Sequence, residues 1–172
     1  MKQVLIILTA ICGFSLTGYA TEGMCIEGNC INDFGVFMWE DGSRYEGDFK
    51  NSLRHGAGTM IYEDEEQKYT GKWKNGKRHG KGVMIYLDGE QYEGDWAEGQ
   101  RHGWGTVSFP NGEKFKGELV KDKWHGKGEY IFSDGSIFQG TWKGDKMDGV
   151  GQYKYPDGSE RKVEYQEGVL IE

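Results

Sequence analysis

The sequence predicts an all-β fold: a single elongated, twisted antiparallel sheet of stacked β-hairpins. A block with glycine and aromatic residues at fixed positions recurs, and its copies start at residues 45, 69, 92, 115 and 138. A fixed period of about 23 residues is typical of a repeat array. Apolar and polar residues alternate within each copy, which indicates strands with one buried face. Glycine is abundant, at 29 of 172 residues, so that large rings can pack over positions without side chains.

The first twenty residues differ from the rest of the chain. Lys2 provides a positive start, and Val4 to Leu16 is largely apolar. The small residues Gly18 and Ala20 stand at the third-last and last positions before the expected cleavage site. This pattern predicts a signal peptide over residues 1–20, with export to the periplasm, the cell envelope or the extracellular space. The alternative is an uncleaved segment that anchors the protein in a membrane.

Residues 21–44 are interpreted as a degenerate first repeat that caps the sheet. Cys25 and Cys30 lie in its shortened part. In an oxidising compartment such a pair predicts a disulfide bond that staples the cap, whereas without export the two residues remain free thiols.

Residues 45–159 are predicted to form five full repeats, each a β-hairpin. Its two strands are joined by a polar loop, such as Lys74 to His79, and an Asp-Gly or Asn-Gly pair turns the chain into the next hairpin. An acidic loop, Glu63 to Glu66, replaces that pair in the first repeat, and residues 160–172 form a closing half repeat. The buried face is predicted from alternate residues: Tyr69, Gly71, Trp73, Gly80, Gly82, Met84 and Tyr86.

The distribution of charge limits the classes of partner that the protein is expected to bind. The net charge of −7 disfavours a general attraction to nucleic acid. One local basic cluster could nevertheless contact phospholipid head groups or an acidic partner, and the alternative is a solvated loop. The cluster consists of Lys72, Lys74, Lys77, Arg78 and Lys81.

The recurring histidines do not predict a metal site. Equivalent positions in successive hairpins lie roughly 10 Å apart, whereas zinc requires ligands at about 2 Å. No catalytic residue and no cofactor site is predicted, since the near match to a phosphate-binding loop at Gly71 to Arg78 lacks its hydroxyl residue. The histidines are His55, His79, His102 and His125.

The pattern Tyr-x-Gly-x-Trp, followed by a Gly-x-Gly pair and closed by Asp-Gly, resembles the MORN repeat over about residues 45–158. The resemblance implies a non-enzymatic interaction module, a binding or scaffold protein that mediates protein–protein interaction or self-association. The predicted signal peptide adds the expectation that it does so outside the cytoplasm. The alternative that the resemblance implies is peripheral binding to phospholipid head groups. An enzyme that acts on envelope polymers is a third hypothesis, for which the sequence offers no set of acidic residues.

Overall fold

The computed structural model describes residues 23–63 and 66–171. In this part of the chain fifteen strands form one open antiparallel sheet, and no residue is helical. None of its elements is therefore a helix that could cross a membrane. The predicted signal peptide and two residues of the acidic loop, Asp64 and Glu65, lie outside the described residues.

The strands follow one another across the sheet in chain order, except that β12 pairs only with β11. Their bounds are β1 Gly23–Gly28, β2 Asp33–Trp39, β3 Arg44–Lys50, β4 Leu53–Ile61, β5 Lys68–Lys74, β6 Lys77–Ile85, β7 Gln91–Ala97, β8 Gln100–Ser108, β9 Lys114–Val120, β10 Lys123–Ile131, β11 Ile137–Lys143, β12 Lys146–Met147, β13 Gly149–Lys154, β14 Glu160–Gln166 and β15 Val169–Leu170.

The predicted all-β sheet of stacked hairpins is confirmed. The connection within a hairpin is shorter than expected, because β5 and β6 are joined by Asn75 and Gly76 alone and not by a loop from Lys74 to His79. Both turn residues have positive φ, 49° and 81°, which suits Asn and Gly. The strands of a hairpin are therefore longer than the sequence indicated.

The buried face of each repeat consists of one ring laid over two glycines. Tyr69 packs across Gly71 and Gly82, which are paired between β5 and β6. A Cβ atom at Gly82 would lie 2.5 Å from Cζ of Tyr69, and one at Gly71 would lie 2.6 Å from its hydroxyl oxygen, so only glycine leaves room for the ring. The Tyr69 hydroxyl donates a hydrogen bond to the carbonyl of Lys72 at 3.0 Å. The rings in this position are all 0% exposed: Tyr45, Tyr69, Tyr92, Phe115 and Phe138.

Neighbouring repeats are joined by edge-to-face ring contacts. The Tyr69 ring centroid lies 5.1 Å from that of Trp73 in its own repeat and 5.2 Å from that of Trp96 in the next. The indole N–H of Trp96 donates to the carbonyl of Gly82 at 3.2 Å. Because one ring is shared between two repeats, the hydrophobic core runs continuously along the sheet.

Three arginines reinforce this contact between repeats. The guanidinium of Arg78 lies 4.3 Å above the Trp96 ring and donates to the carbonyl of Gly99, in the next hairpin turn, at 2.8 Å. Arg54 and Arg101 donate to the corresponding carbonyls of Gly76 and Asp122. Each arginine therefore fixes the turn that follows it. In the fourth repeat Trp124 takes this position and stacks on Phe115 at 4.3 Å between ring centroids.

Substitution of Gly82 by alanine should destabilise the protein. The new methyl group would displace the Tyr69 ring, and overpacking of this kind costs about 2 to 3 kcal/mol. Urea unfolding followed by circular dichroism measures the loss. Gly144→Asn is the matched control, because no atom lies within 4 Å of its Cβ position and Asn75 occupies the equivalent turn position. Equal losses in the two variants would contradict the proposed role of the glycine pairs.

Alkaline pH should destabilise the fold through the buried tyrosines. Burial raises the pKa of Tyr69 to about 12. The unfolded chain releases this proton near the ordinary pKa of about 10. The contribution of the Tyr69 hydroxyl to the free energy of unfolding is therefore complete below pH 10 and is lost as the pH rises from about 10 towards 12.

Tyr69→Phe should remove part of that alkaline loss. Phe115 and Phe138 occupy the same position, so the ring should be accommodated, and the lost hydrogen bond should cost about 1 kcal/mol at pH 7. Urea midpoints at pH 8 and 10.5 report the change, with the exposed Tyr155→Phe as control. A pH dependence identical to that of the unsubstituted protein would show that the hydroxyl of Tyr69 plays no part.

Candidate binding groove

The two faces of the sheet differ in what they expose. The aromatic face carries the rings and arginines described above. The open face carries the intervening side chains, such as Thr70 and Lys72 on either side of Gly71. The burial pattern of β5 shows the division, because Tyr69 and Trp73 are buried while Thr70 and Lys72 are exposed.

A groove crosses the strands on the open face. It consists of three adjoining depressions of about 610, 640 and 570 Å³, which we call the N-terminal, central and C-terminal depressions. The first two share Thr70, Gly71 and Lys81, and the last two share Trp104 and Lys116. The groove therefore runs from Phe34 on β2 to Val150 on β13, roughly 50 Å at the usual spacing between strands.

The floor of the groove is the backbone of the paired glycines. Their Cβ positions point at the aromatic rings, so only main chain is exposed on the open face. The register places them in one row across nine strands: Gly47, Gly58, Gly71, Gly82, Gly94, Gly105, Gly117, Gly128 and Gly140.

A β-bulge lies beside this row within each of the first four full hairpins. Between β5 and β6 the register shifts after the Gly71–Gly82 pair, and Gly80 has a φ of +61° that other residues rarely adopt. In the next hairpin the carboxylate of Asp95 accepts a hydrogen bond from the N–H of Trp104 at 3.1 Å. The bulge bends the hairpin at the row of glycines and re-aims the side chain that follows it.

Trp104 is the residue that the sequence analysis missed. Its side chain is 55% exposed on the open face, and it lines both the central and the C-terminal depression. A comparison of the repeats would have found it. The central position of the Gly-x-Gly sequence on each second strand is otherwise occupied by Ala57, Lys81, Lys127 and Val150. A tryptophan at this position is therefore not part of the repeated core.

Charged side chains of both signs line the groove. Lys81 pairs with Asp95 at 2.9 Å, and Glu129 accepts a hydrogen bond from Gln139 at 2.7 Å. Lys116 and Lys127 flank the C-terminal depression. On a protein of net charge −7, this part of the groove is locally basic.

The structure divides the predicted basic cluster between the two faces. Lys72 and Lys81 both line the N-terminal depression on the open face. Arg78 lies on the aromatic face, where it packs on Trp96. The two groups can therefore not contact one surface together.

The other two members lie at the end of the hairpin. Lys74 is opposite Lys77, next to the two-residue turn. Lys77 pairs with Glu98 at 2.8 Å, and its hydrogen bond lowers the pKa of that carboxyl group. Lys77 is thus engaged with the neighbouring repeat.

The cysteines and histidines lie outside the groove. A disulfide bond joins Cys25 on β1 to Cys30 in the connection between β1 and β2. Nδ1 of His55 accepts a hydrogen bond from the N–H of Asn75 at 3.5 Å, which ties it to the next hairpin turn. Among residues 23–63 and 66–171, no three His, Cys, Asp or Glu side chains are grouped to hold a metal ion.

Comparison with solved structures finds two similar chains, of which one has a TM-score above 0.5. The TCP domain of SAS-4 (dCPAP) from Drosophila melanogaster, in complex with a proline-rich motif of Ana2 (dSTIL), matches with a TM-score of 0.53 at 13% identity over 88% of each chain. The TCP10 domain of Danio rerio CPAP, in complex with a peptide of STIL, matches with a TM-score of 0.39 at 13% identity over 83% of this chain and 84% of that one. No curated protein matches.

The family model for the MORN repeat matches five consecutive segments, at residues 45–66, 69–91, 92–114, 115–137 and 138–160. These segments begin at the five positions where the sequence pattern placed them, so the predicted resemblance is confirmed. The chain belongs to the MORN repeat family.

Proposed function

We propose that this protein is a non-enzymatic binding module that holds an extended segment of a protein partner along the open-face groove. The observation that carries the proposal is the continuity of the three depressions over a floor of bare main chain. The rings of the aromatic face are buried in the core, whereas the polar and apolar side chains of the open face remain available for contact with a partner. A long, shallow groove suits a linear segment better than a small substrate, which usually occupies an enclosed pocket.

A solved structure supports peptide binding by a sheet of this kind. The TCP domain of SAS-4 is in complex with a proline-rich motif of Ana2. At 13% identity the likeness concerns the fold, so it does not specify the partner of the present chain. The signal peptide predicted over residues 1–20 supports a partner outside the cytoplasm.

Filling the groove should abolish partner binding. Dodecamer peptides would be selected from a random display library on the unsubstituted protein, and their Kd values measured by calorimetry. Thr106→Arg inserts a long side chain into the central depression and should weaken binding at least about tenfold. Val120→Arg is the control, because Val120 is an exposed residue that does not line the three depressions.

Two outcomes would overturn this proposal. In the first, selected peptides bind the Thr106→Arg variant as tightly as the unsubstituted protein. In the second, no peptide is enriched, while the protein self-associates in sedimentation experiments or pellets with anionic vesicles. These results would assign the surface to a second copy of the chain or to phospholipid, respectively.

A further inference from the structure

The chemistry of the partner segment can be read from the C-terminal depression, and this inference rests on the proposed function. Trp104 projects there with more than half of its side chain exposed. Within the described residues its ring makes no contact with another aromatic ring, unlike Trp73, Trp96 and Trp142. Its ring therefore stands outside the aromatic packing of the sheet, and exposed aromatic rings of this kind are frequent anchors of protein partners.

The main chain at Trp104 is held in place before any partner arrives. Its backbone N–H donates to the carboxylate of Asp95, whose other oxygen pairs with Lys81 at 2.9 Å. Val150, 66% exposed, lies on the same side of the glycine floor at the far end of the depression. The two apolar side chains are four strands apart, or roughly 20 Å. A polyproline II helix covers that distance with about six residues, or two turns.

The floor favours a polyproline II segment over an added β-strand. Gly105, Gly117, Gly128 and Gly140 are paired with one another in the interior of the sheet, so their main-chain groups already take part in the sheet's own ladder. A bound segment cannot form a new ladder on this face. A proline-rich segment needs none, because it is preorganised without internal hydrogen bonds and its rings pack well on an aromatic side chain.

The charges specify a flanking acidic residue. Lys116 and Lys127 stand on opposite sides of the floor, and neither has a carboxylate at ion-pair distance within the described part of the chain. Glu129 is the cross-strand partner of Lys116 and accepts a hydrogen bond from Gln139 at 2.7 Å. The two lysines and this one carboxylate leave the lining of the depression with a net formal charge of +1. We propose that the C-terminal depression is an anchoring subsite for a proline-rich segment in the polyproline II conformation, with prolines against Trp104 and Val150 and an aspartate or glutamate between Lys116 and Lys127.

An array of tryptophan-free dodecamer peptides tests this inference. The peptides differ in the spacing of their prolines and in the residue between the prolines, which is aspartate, glutamine or lysine. A matched set replaces every proline by alanine. Binding is followed by calorimetry and by the change in total tryptophan fluorescence, to which six residues contribute. The acidic, proline-containing peptides should bind most tightly, and their alanine counterparts should lose at least about tenfold in affinity.

Trp104→Lys is the main variant, since Lys81 and Lys127 occupy the equivalent position and the fold should be unaffected. It should weaken binding at least about tenfold, as expected for an aromatic anchor. Leu87→Lys, which removes an exposed apolar residue outside the groove, should leave the affinity unchanged. The double variant Lys116→Glu, Lys127→Glu should prefer the lysine-containing peptides.

The results separate this inference from the proposed function. Equal binding of the alanine set, or of the Trp104→Lys variant, would overturn the inference. So would an absence of binding by every proline-rich peptide. If random-library peptides still bind and Thr106→Arg blocks them, the proposed function stands without this subsite. If no peptide of either kind binds in the groove, both are wrong.

Discussion

The structure depends on one packing arrangement, a ring that lies flat over a pair of glycines. The tryptophan of the next repeat covers this ring at Tyr45, Tyr69 and Phe115. A single sheet has no second layer to bury its apolar residues. Tyr69 nevertheless reaches 0% exposure, because Gly71 and Gly82 let it approach the main chain and Trp96 closes over its edge. Each repeat thus depends on its neighbour for its core, which explains why such units occur in series. The rings of the aromatic face are buried by folding, so the proposed recognition uses the other face.

The repeats share this geometry without sharing all its chemistry. The first three full repeats use arginines to fix the following turn, whereas the fourth uses Trp124, which stacks on Phe115 and meets Trp142 edge to face. Phenylalanine replaces tyrosine in the fourth and fifth repeats, at Phe115 and Phe138, so the hydrogen bond from the ring hydroxyl is absent there. The ring and the glycine pair are therefore the constant elements. The polar contacts around them vary, because each contributes only about 1 kcal/mol and can be replaced by further apolar packing.

Much of the fold could be predicted, because the repeated glycine and aromatic positions reveal the alternation of buried and exposed residues along each strand. Residues spaced by two, such as Tyr69, Gly71 and Trp73, identified the buried face without any knowledge of the turns. The groove was harder to predict from the sequence than the fold, for two physical reasons. Treating Lys74 to His79 as a loop left no face assigned to Arg78, whereas the two-residue turn extends the strands and places Arg78 on the aromatic face. The groove arises from bulges and from the stacking of many hairpins, neither of which appears in a single repeat.

The central residue of each Gly-x-Gly sequence gives the proposed binding groove a way to be selective. Its side chain points away from the aromatic rings, so it can change without disturbing the core. Along this chain it is Ala57, Lys81, Trp104, Lys127 and Val150, a series that varies in size and charge while the glycines on either side stay fixed. Because all five lie in register along one groove, a partner that follows the groove meets them in chain order. Selectivity can therefore be set by one residue per repeat, at little cost to the stability of the sheet.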